Sequence, residues 1–441
     1  MKLTQNLMKV FSLLFFAMFL MSFLYLSSDE TYSAENTGTL KAAVVKADIT
    51  PEEPVYLYGY RSRKTPSEGV HDPISARITA FENNGKRLVI VSTDIGSYGP
   101  DAFKDIQELI LDKYNLEASQ LFLSAIHSHS TPILMLKAEE ERKNNVTYTK
   151  NLKEKLVKAV GEALDNMQVV HTGTGVGSSP VGSNRREQKP DGEITLGRNP
   201  YGPTDKEVLV MKLAYPEGKT VGVIFDYATH ATSLGPKNMR VSGDVLGISE
   251  QYVEKVLGND IIAPAFAGAS GNIDPWYRVL PSFNTENGRI PETVLLGQML
   301  GTEVLNVYDH IKDLKPGGEI NYSFATLECP RKKLEDDTSG NNPSRMREES
   351  NTVPVNITVA RVGDVAFVGV NVEMITQIGI EIKKGSPFKN TFIITHCNGS
   401  SGYLAPAELY KEGGYEIRST PFEIGSSDMV VAKALRMLYD L

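Results

Sequence analysis

Short apolar runs alternate with amphipathic segments along most of the chain. The run RLVIVSTD at residues 87–94 is followed by DAFKDIQELILDKYN at 101–115, which is apolar at helical spacing, and then by LFLSAI at 121–126. Short apolar runs are typical of buried strands, and apolar positions three and four residues apart are typical of a helix that packs on a core. The pattern therefore predicts a strand–helix–strand unit, with Asp101 as the helix N-cap.

The same alternation recurs twice further along the chain. TVGVIFDYATH at residues 220–230 and VAFVGVNVEMITQIGIEIKK at 365–384 each begin with an apolar run, and the second continues into a helical pattern. Asn84 and Gly85 mark a tight hairpin turn before the first unit. This alternation indicates α/β architecture: a single large mixed α/β domain with its functional site at strand ends.

Three stretches that are rich in Gly, Pro, Asn or charge predict loops, at residues 184–205, 279–292 and 329–354. Solvated loops need no function. The last stretch is nevertheless the best candidate for an exposed insertion or the edge of a lid.

The first 34 residues differ from the rest of the chain. Two lysines precede the apolar run VFSLLFFAMFLMSFLYL at residues 10–26, and the polar stretch SSDETYSAENTG follows it. This order is typical of a secretory signal peptide, although the run is also near the lower length limit for a membrane span. We expect cleavage after Ala34, which leaves residues 35–441 as a secreted or extracytoplasmic protein; an uncleaved N-terminal anchor is the alternative.

Composition excludes several classes of function. The formal net charge is −8, and no run of Lys and Arg is interleaved with aromatic residues, so we expect no nucleic-acid partner. Cys329 and Cys397 are the only cysteines. Their number excludes a zinc ribbon or a framework of disulfides and leaves room for one bridge.

Three of the predicted strands end near side chains that commonly bind metals. His127 and His129 follow LFLSAI, His230 follows the strand in TVGVIFDYATH, and Glu373 follows the apolar run of the third unit. If the strand before His127 continues, both histidines of the HSH sequence point to the same face. Imidazole and carboxylate groups from separate elements are typical ligands of a catalytic zinc, which keeps one position open for water.

Each of these side chains also has a simpler interpretation. The HSH sequence could be a surface pair or two hydrogen-bonded core histidines, His230 could be a capped core histidine, and Glu373 could stabilise a helix N-terminus. Asp94 and Asp244 could orient ligand histidines through the far ring nitrogen, or they could cap helices.

Six short motifs, in the same order, resemble those of the neutral/alkaline ceramidases, secreted zinc amidases that cleave the N-acyl bond of ceramide. KADITP is similar to the entry strand of that family, VIVSTDIG resembles VSADLG, and AIHSHSTP resembles ATHTHSGP. DYATHATSL, NVEMITQIG and GYLAPAELYKEGGYE are similar to family segments that read HPTS, GEFTTMAG and HYITTYEEYQAQRYE. Residues 35–441 therefore resemble the N-terminal catalytic domain of the family, without the C-terminal β-sandwich domain that usually follows it.

The resemblance implies a role for individual residues. It makes four side chains the ligands of one Zn²⁺ ion: His127, His230, Glu373 and Tyr403. It places three more beside the substrate: His129, Arg185 and Tyr415. A tyrosine ligand is physically reasonable, because a bound Zn²⁺ favours the deprotonated form of a coordinating group.

One motif departs from the family pattern. The family carries a catalytic serine in GDVSPN, whereas this chain has GNIDPW and therefore Asp274 at that place. Ser270 does not replace it, because the GxSxG motif requires a glycine where Asn272 stands. The remaining nucleophile is a water whose pKa the zinc lowers, with His129 or Asp274 as general base or acid. Asp274 could instead cap a turn before Pro275.

The motifs and the resemblance together predict an exported, zinc-dependent hydrolase of an N-acyl bond. Its substrate would be a small or lipid-like N-acyl molecule, and lipid or sphingolipid metabolism its setting. The missing serine and the missing β-sandwich argue against ceramide itself. The alternatives are a non-catalytic, metal-containing binding protein and a zinc enzyme that acts on a glycan or a cell-wall-derived substrate.

Overall fold

The computed structural model describes residues 38–258, 260–276, 292–333 and 350–441. The predicted signal peptide and nearly all of the predicted loop at 279–292 lie outside these residues. Residues Thr39–Leu441 group into one compact unit by their contacts. Among the described residues, none of the helices has the length and apolar character that crossing a membrane requires.

The described residues form 22 strands. In chain order these are β1 (Lys41–Asp48), β2 (Gly69–Val70), β3 (Ser75–Asn83), β4 (Lys86–Thr93), β5 (Leu121–Ala125), β6 (Gln168–Val169), β7 (His171–Ser178), β8 (Gly182–Asn184), β9 (Arg186–Gln188), β10 (Ile194–Leu196), β11 (Glu207–Ala214), β12 (Thr220–Tyr227), β13 (Arg240–Val241), β14 (Ala265–Ala267), β15 (Ile273–Pro275), β16 (Lys315–Pro316), β17 (Ile320–Pro330), β18 (Thr352–Val362), β19 (Val365–Val370), β20 (Glu373–Met374), β21 (Asn390–Ile394) and β22 (Tyr403–Leu404).

They also form eight α-helices and two short 3₁₀ turns, at Ala118–Gln120 and Glu140–Arg142. The α-helices are α1 (Pro100–Tyr114), α2 (Lys143–Asp165), α3 (Asp244–Leu257), α4 (Glu292–His310), α5 (Thr376–Gly385), α6 (Leu409–Glu412), α7 (Tyr415–Ser419) and α8 (Ser426–Tyr439).

Three mixed sheets organise the fold. Their strand orders are β5-β4-β3-β1-β6, β14-β12-β11-β7-β16 and β17-β18-β19-β21. Each sheet is mostly antiparallel but ends in one parallel pair, namely β4 with β5, β12 with β14, and β19 with β21. A parallel pair needs a crossover, and the carboxyl ends of its strands lie at the same edge of the sheet.

Helices cover one face of each sheet, and the other faces share a core. Apolar side chains of α1 and α2 pack on the first sheet, those of α3 and α4 on the second, and those of α5 and α8 on the third. Between the sheets lies a cluster contributed by all three, which includes Phe81, Phe122, Met211, Phe367 and Phe392. The predicted mixed α/β architecture is therefore confirmed.

The first predicted strand–helix–strand unit is present as β4, α1 and β5. The turn between β3 and β4 is formed by Asn84 and Gly85, both with left-handed φ angles (50° and 80°), as the hairpin prediction requires. The predicted N-cap was wrong: α1 begins at Pro100 after Gly99, and Asp101 lies in its first turn. Proline is favoured there because its missing N–H would have had no helical partner.

Two of the three predicted loops contain regular structure. The stretch 184–205 includes β9 and β10, which pair as a small hairpin. The stretch 329–354 includes the end of β17 and the start of β18, and residues 334–349 lie outside the described part. Cys329 and Cys397 are buried free thiols and form no disulfide.

Candidate metal centre

The carboxyl ends of the parallel strands of all three sheets meet at one place. His127 follows β5 of the first sheet, His230 follows β12 of the second, and Glu373 follows β19 of the third. The side chains of His127 and His230 are almost fully buried, and that of Glu373 is 16% exposed. The topology thus explains why residues more than one hundred positions apart in the sequence form one cluster.

His127 presents one defined nitrogen to this cluster. The strand ends at Ala125, before the HSH sequence, and His127 has a left-handed φ of 61°. Its Nδ1 lies 2.7 Å from the carbonyl oxygen of Gly96. Because a carbonyl can only accept, Nδ1 carries the proton, and the lone pair of Nε2 faces the cluster.

His230 is oriented in the same way, by backbone carbonyl oxygens that contact its Nδ1. Its Nδ1 lies 2.7 Å from the carbonyl oxygen of Ser270 and 3.2 Å from that of Ile273. Its Nε2 therefore also presents a lone pair to the cluster. Backbone acceptors of this kind orient metal-binding histidines in many proteins.

Glu373 lies between the two histidines. Its Oε2 is 3.6 Å from Nε2 of His127 and 3.6 Å from Nε2 of His230. These distances are too long for hydrogen bonds. Ligands that share a tetrahedral zinc at about 2.0–2.1 Å lie roughly 3.4 Å apart, so the spacing fits one shared ion. The helix-start interpretation of Glu373 is wrong, because α5 begins at Thr376 and the carboxylate faces the histidines.

Several polar atoms at the centre are buried without a hydrogen-bond partner among the described residues: His230 Nε2, Glu373 Oε2, His396 Nε2 and His129 Nδ1. Such atoms are uncommon in proteins, because each costs about 1–3 kcal/mol when it is left unpaired. A cation bound by His230 and Glu373 would satisfy the first two. The unpaired nitrogen of His230 and the unpaired oxygen of Glu373 therefore fit a metal ion.

The electrostatics favour metal-binding protonation states for two of the candidate ligands, His230 and Glu373. Burial lowers the pKa of His230 below its ordinary value. Burial would raise the pKa of Glu373, but His127 and His230 hold it well below its usual range. A neutral imidazole and an ionised carboxylate are the forms that bind metals.

Tyr403 lies next to Glu373, because β20 and β22 pair in parallel with Glu373 opposite Tyr403. Its phenol oxygen accepts a hydrogen bond of 3.0 Å from Nη2 of Arg185. Burial and the charge of Glu373 raise the pKa of Tyr403 well above its ordinary value, which opposes deprotonation in the absence of a cation. The position of Tyr403 is thus compatible with the predicted ligand role.

Arg185 makes four hydrogen bonds within the site. It donates to Glu416 Oε1 (3.0 Å), to Asp274 Oδ1 (3.1 Å) and to the carbonyl oxygen of Gly271 (2.8 Å), besides Tyr403. Although burial lowers the pKa of its guanidinium, Tyr403, Asp274 and Glu416 raise it well above the ordinary value. Asp274 also accepts a hydrogen bond from Thr232. The structure thus brings Arg185 and Asp274 together beside Tyr403.

Tyr415 lines a cleft beside the candidate ligands, and His129 packs against Tyr60, which lines the same cleft. His129 Nε2 lies 3.3 Å from His127 Nε2, and Tyr60 contacts the His129 ring edge-on at 5.1 Å. Tyr415, which is 40% exposed, contacts Tyr403 edge-on at 5.7 Å. The cleft measures about 390 Å³ and is lined by Gly59, Tyr60, Arg61, Ser62, Tyr415 and Ser419.

The two carboxylates suggested as partners of the histidines have other roles. Asp94 accepts hydrogen bonds from Ser75 N and Arg77. Asp244 accepts bonds from the backbone of Ser233, Leu234 and Val245 and from the Ser233 hydroxyl. Neither is the acceptor for His127 or His230, because backbone carbonyls take that place.

Sequence reasoning assigned no role to three other features of the site. Gly59 packs so closely on His129 that a Cβ there would lie 2.3 Å from the ring. Glu416 is buried and pairs with both Arg185 and Arg186. His396 stacks on His127. Of these three, only Glu416 gave a signal in the sequence, because its charge could have suggested an ion pair. The contacts of Gly59 and His396 join distant segments and leave no local pattern.

Comparison with known proteins identifies the family. A profile described as "Neutral/alkaline non-lysosomal ceramidase, N-terminal" matches residues 41–272, which is more than half of the chain. The chain belongs to the neutral/alkaline ceramidase family. The matched part of this ceramidase-family protein includes His127, His129, Arg185 and His230. The resemblance predicted from six motifs is confirmed.

Similar proteins come from several kingdoms. The chain is 24% identical over 235 residues to a neutral ceramidase of Drosophila pseudoobscura pseudoobscura, and 24% identical over 225 residues to one of Oryza sativa subsp. japonica. These matches cover 50% and 47% of the chain but only 32% and 28% of the two relatives.

The fold of this ceramidase-family protein also matches a solved structure. The crystal structure of neutral ceramidase from Pseudomonas aeruginosa superposes with a TM-score of 0.74 and 18% identity, over 91% of this chain and 74% of that one. At this identity the match establishes the fold. It extends beyond the profile match into the half of the chain that supplies Glu373 and Tyr403.

Proposed function

We propose that the protein is a metal-dependent hydrolase that cleaves an N-acyl (amide) bond. The observation that carries the proposal is the pair of histidines, His127 and His230, whose Nδ1 atoms are fixed by backbone carbonyls and whose Nε2 atoms lie around Glu373 Oε2. Hydrogen-bonded core histidines do not explain this arrangement, because His230 Nε2 and Glu373 Oε2 have no partner among the described residues.

The proposed ligands are His127, His230, Glu373 and Tyr403, and the proposed ion is a single Zn²⁺. When bound, such an ion polarises a carbonyl oxygen and lowers the pKa of a water molecule toward roughly 7. Imidazole, carboxylate and phenolate ligands are consistent with zinc, because its sites commonly combine nitrogen and oxygen donors. Arg185 would help Tyr403 to act as a ligand, since its guanidinium donates to the oxygen that must lose its proton.

The reaction adds water to the carbonyl carbon and breaks the C–N bond, so that a carboxylic acid and an amine leave. His129 would take the proton from the water and pass it to the departing nitrogen, because its ring lies between the proposed ligand His127 and Tyr60 of the cleft, and the proposal does not use it as a ligand. Burial and the neighbouring His127 and His230 lower its pKa well below the ordinary value. The ring is therefore neutral before the reaction, which is the form that a general base requires.

The oxyanion that forms at the carbonyl oxygen needs positive charge or N–H donors nearby. Arg185 is a buried cation that contacts the proposed ligand Tyr403, and Tyr415 lies at the cleft with its ring edge on Tyr403. Asp274 holds Arg185 through a 3.1 Å hydrogen bond. We assign stabilisation of the oxyanion to Arg185 and Tyr415. We assign to Asp274 one of two roles: it either orients Arg185 or acts as the acid or base that transfers a proton.

The residues do not support a serine nucleophile. Asp274 occupies the place of the family serine, and the Ser270 hydroxyl is fully buried. Ser270 acts through its backbone, since its carbonyl oxygen accepts the Nδ1–H of His230. Water is therefore the nucleophile that the proposal requires.

The cleft favours a polar group on the substrate. Among the described residues, its lining consists of two tyrosines, two serines, an arginine and a glycine, and none is aliphatic. Long alkyl chains bind to apolar surfaces, whereas tyrosine rings and hydroxyl groups suit hydroxylated molecules such as sugars. An N-acylated polar molecule, including an N-acylated sugar, is therefore the preferred substrate class over ceramide. Lipid-like N-acyl substrates and export from the cell stay predictions.

The test is hydrolysis of a panel of N-acyl substrates by purified protein, after treatment with a chelator and after zinc is restored. The panel should contain a short-chain ceramide, an N-acyl amino acid and an N-acetylated amino sugar. We expect release of free amine only in the presence of metal. Glu373→Gln should abolish the activity, whereas Glu381→Gln, on the exposed side of α5, should leave it unchanged. Activity that survives metal removal, or no hydrolysis of any N-acyl bond, would contradict the proposal.

A further inference from the structure

His396 stacks on the face of a proposed ligand. Its ring is 3.8 Å from that of His127 between centroids, and the two planes differ by only 9°. Both residues have left-handed φ angles, 52° for His396 and 61° for His127. A left-handed non-glycine residue costs free energy and often occurs at functional sites. The pairing of two such residues therefore calls for a physical explanation.

Distance alone would make His396 a metal ligand. The donor atoms of His127, Glu373 and His396 lie within 4.8 Å of one another. An imidazole, however, donates through a lone pair in the plane of its ring. Two nearly parallel rings stacked 3.8 Å apart direct their lone pairs along separate planes and cannot both aim at one ion. The stack thus excludes His396 as a partner of His127 on the same ion.

Charge argues against a second cation beside His396. Among the described acidic groups near it, only Glu373 faces the cluster, and Asp274 is paired with Arg185. A second divalent ion a few ångströms from the first would lack the carboxylates that normally neutralise such pairs. The Nε2 atom of His396 is thus left for a neutral partner such as water.

The position of His396 is fixed by the backbone on both sides. Its N–H donates to the carbonyl oxygen of Val372, next to Glu373, and its own carbonyl oxygen accepts from Ala125 N, at the end of β5. The residue therefore joins the segment that carries Glu373 to the strand that leads to His127. The Gly96 carbonyl holds the His127 ring at one atom, Nδ1. The ring of His396, stacked on the face of the His127 ring, limits rotation of that ring.

We propose that His396 is a positioning residue that holds the His127 ring, and hence its Nε2, toward the metal by stacking rather than by coordination. The proposal rests on the proposed metal centre. It predicts that a flat ring at position 396 is required and that a nitrogen at this position is not.

The experiment measures Co²⁺ binding and the visible absorption of the Co²⁺-loaded protein in two complementary variants. His396→Phe keeps a flat ring without nitrogen, and His396→Gln keeps a polar nitrogen without a ring. We expect His396→Phe to bind Co²⁺ as the wild type does. We expect His396→Gln to bind it roughly 10–100-fold more weakly, as is typical when a group behind a ligand is lost. Its spectrum at saturation should equal that of the wild type, because the set of ligands is unchanged.

Three results would overturn the proposal. Equal loss of affinity in both variants would show that the nitrogen is needed, and a changed spectrum in saturated His396→Gln would show that a ligand was removed. Wild-type affinity in His396→Gln would show that the stack has no effect. Thermal melting in chelator verifies folding, and His310→Phe, at an exposed histidine, controls for loss of a histidine elsewhere. A wild-type protein that binds no Co²⁺ would instead contradict the metal centre itself.

Discussion

At the scale of single residues, backbone carbonyls decide which atoms can bind a metal. Gly96 O and Ser270 O each accept the Nδ1–H of a histidine, so His127 and His230 both direct Nε2 toward the metal centre. The carboxylates suggested for this role, Asp94 and Asp244, are bonded elsewhere. A carbonyl oxygen is present at every residue, and for that reason the sequence pattern carries no signal for this arrangement.

Asp274 offers a prediction at the same scale. Removal of its carboxylate in Asp274→Ala should leave the metal bound and lower kcat by about 10²-fold or more, a typical effect of losing an acid, a base or the group that orients a catalytic arginine. Metal analysis together with an activity assay measures both effects. Asp274→Asn distinguishes the two roles, because the amide can still accept from Arg185 but cannot transfer a proton. Full activity in Asp274→Ala would remove the residue from the mechanism.

The candidate ligands were predictable to the extent that they follow apolar runs. His127, His230 and Glu373 lie two or three residues after strands that the hydrophobic pattern marks, and the family resemblance assigned Tyr403. His396 also follows a strand, β21, but no local pattern shows that its ring stacks on a residue 269 positions earlier. Contacts between distant segments arise from topology, which the local periodicity does not encode.

At the scale of elements, the short helix α7 links two buried arginines to the cleft. It carries Tyr415 at its first residue and Glu416 at its second, and Glu416 pairs with Arg185 at 3.0 Å and with Arg186 at 2.8 Å. A helix of five residues is too short to be stable alone. The ion pairs of Glu416 therefore hold Tyr415 beside the site.

This arrangement predicts that Glu416→Gln destabilises the protein. Removing one partner of a buried ion pair leaves the other charges uncompensated and costs about 3–5 kcal/mol. Chemical denaturation measures the loss. Glu412→Gln is the matched control, since Glu412 pairs with Arg186 but is 48% exposed, and exposed pairs contribute about 0–1 kcal/mol. Equal effects of the two substitutions would contradict the assignment.

At the scale of the whole molecule, three sheets with helices on their outer faces bring three strand ends to one point. The alternation of apolar runs and helical patterns predicted the mixed α/β class and the position of the site at strand ends. It did not predict that three separate sheets share a core, because strand pairing depends on contacts between distant residues. The strands β9 and β10 lie in a stretch that was predicted as a loop, because their pairing with each other is also not visible in the local hydrophobic pattern.

A buried carboxylate between two sheets gives a pH dependence of stability. Burial raises the pKa of Asp226 to about 7, despite the attraction of Lys383. In the unfolded chain an aspartate has a pKa of about 3.9. Between these values the folded protein holds a proton that the unfolded chain has released, so this group lowers the free energy of unfolding as the pH rises from about 4 to about 7.

Asp226→Asn removes that proton equilibrium. We expect the variant to be more stable than the wild type at pH 8 and to lose this advantage toward pH 4, because its side chain stays neutral at every pH. Denaturation curves at several pH values measure the difference. Asp364→Asn, at an exposed aspartate paired with Lys315, should show no such trend. Lower stability of Asp226→Asn than of the wild type at pH 8 would contradict the assignment.

The central claim, a single metal ion held by side chains from three sheets, is tested most directly by metal analysis of purified protein after equilibration with zinc. The wild type should retain one ion per chain, His230→Ala should retain none, and His71→Ala, at a histidine paired with Asp72 outside the site, should retain one. A wild-type protein without bound metal, or His230→Ala with a full equivalent, would contradict the account.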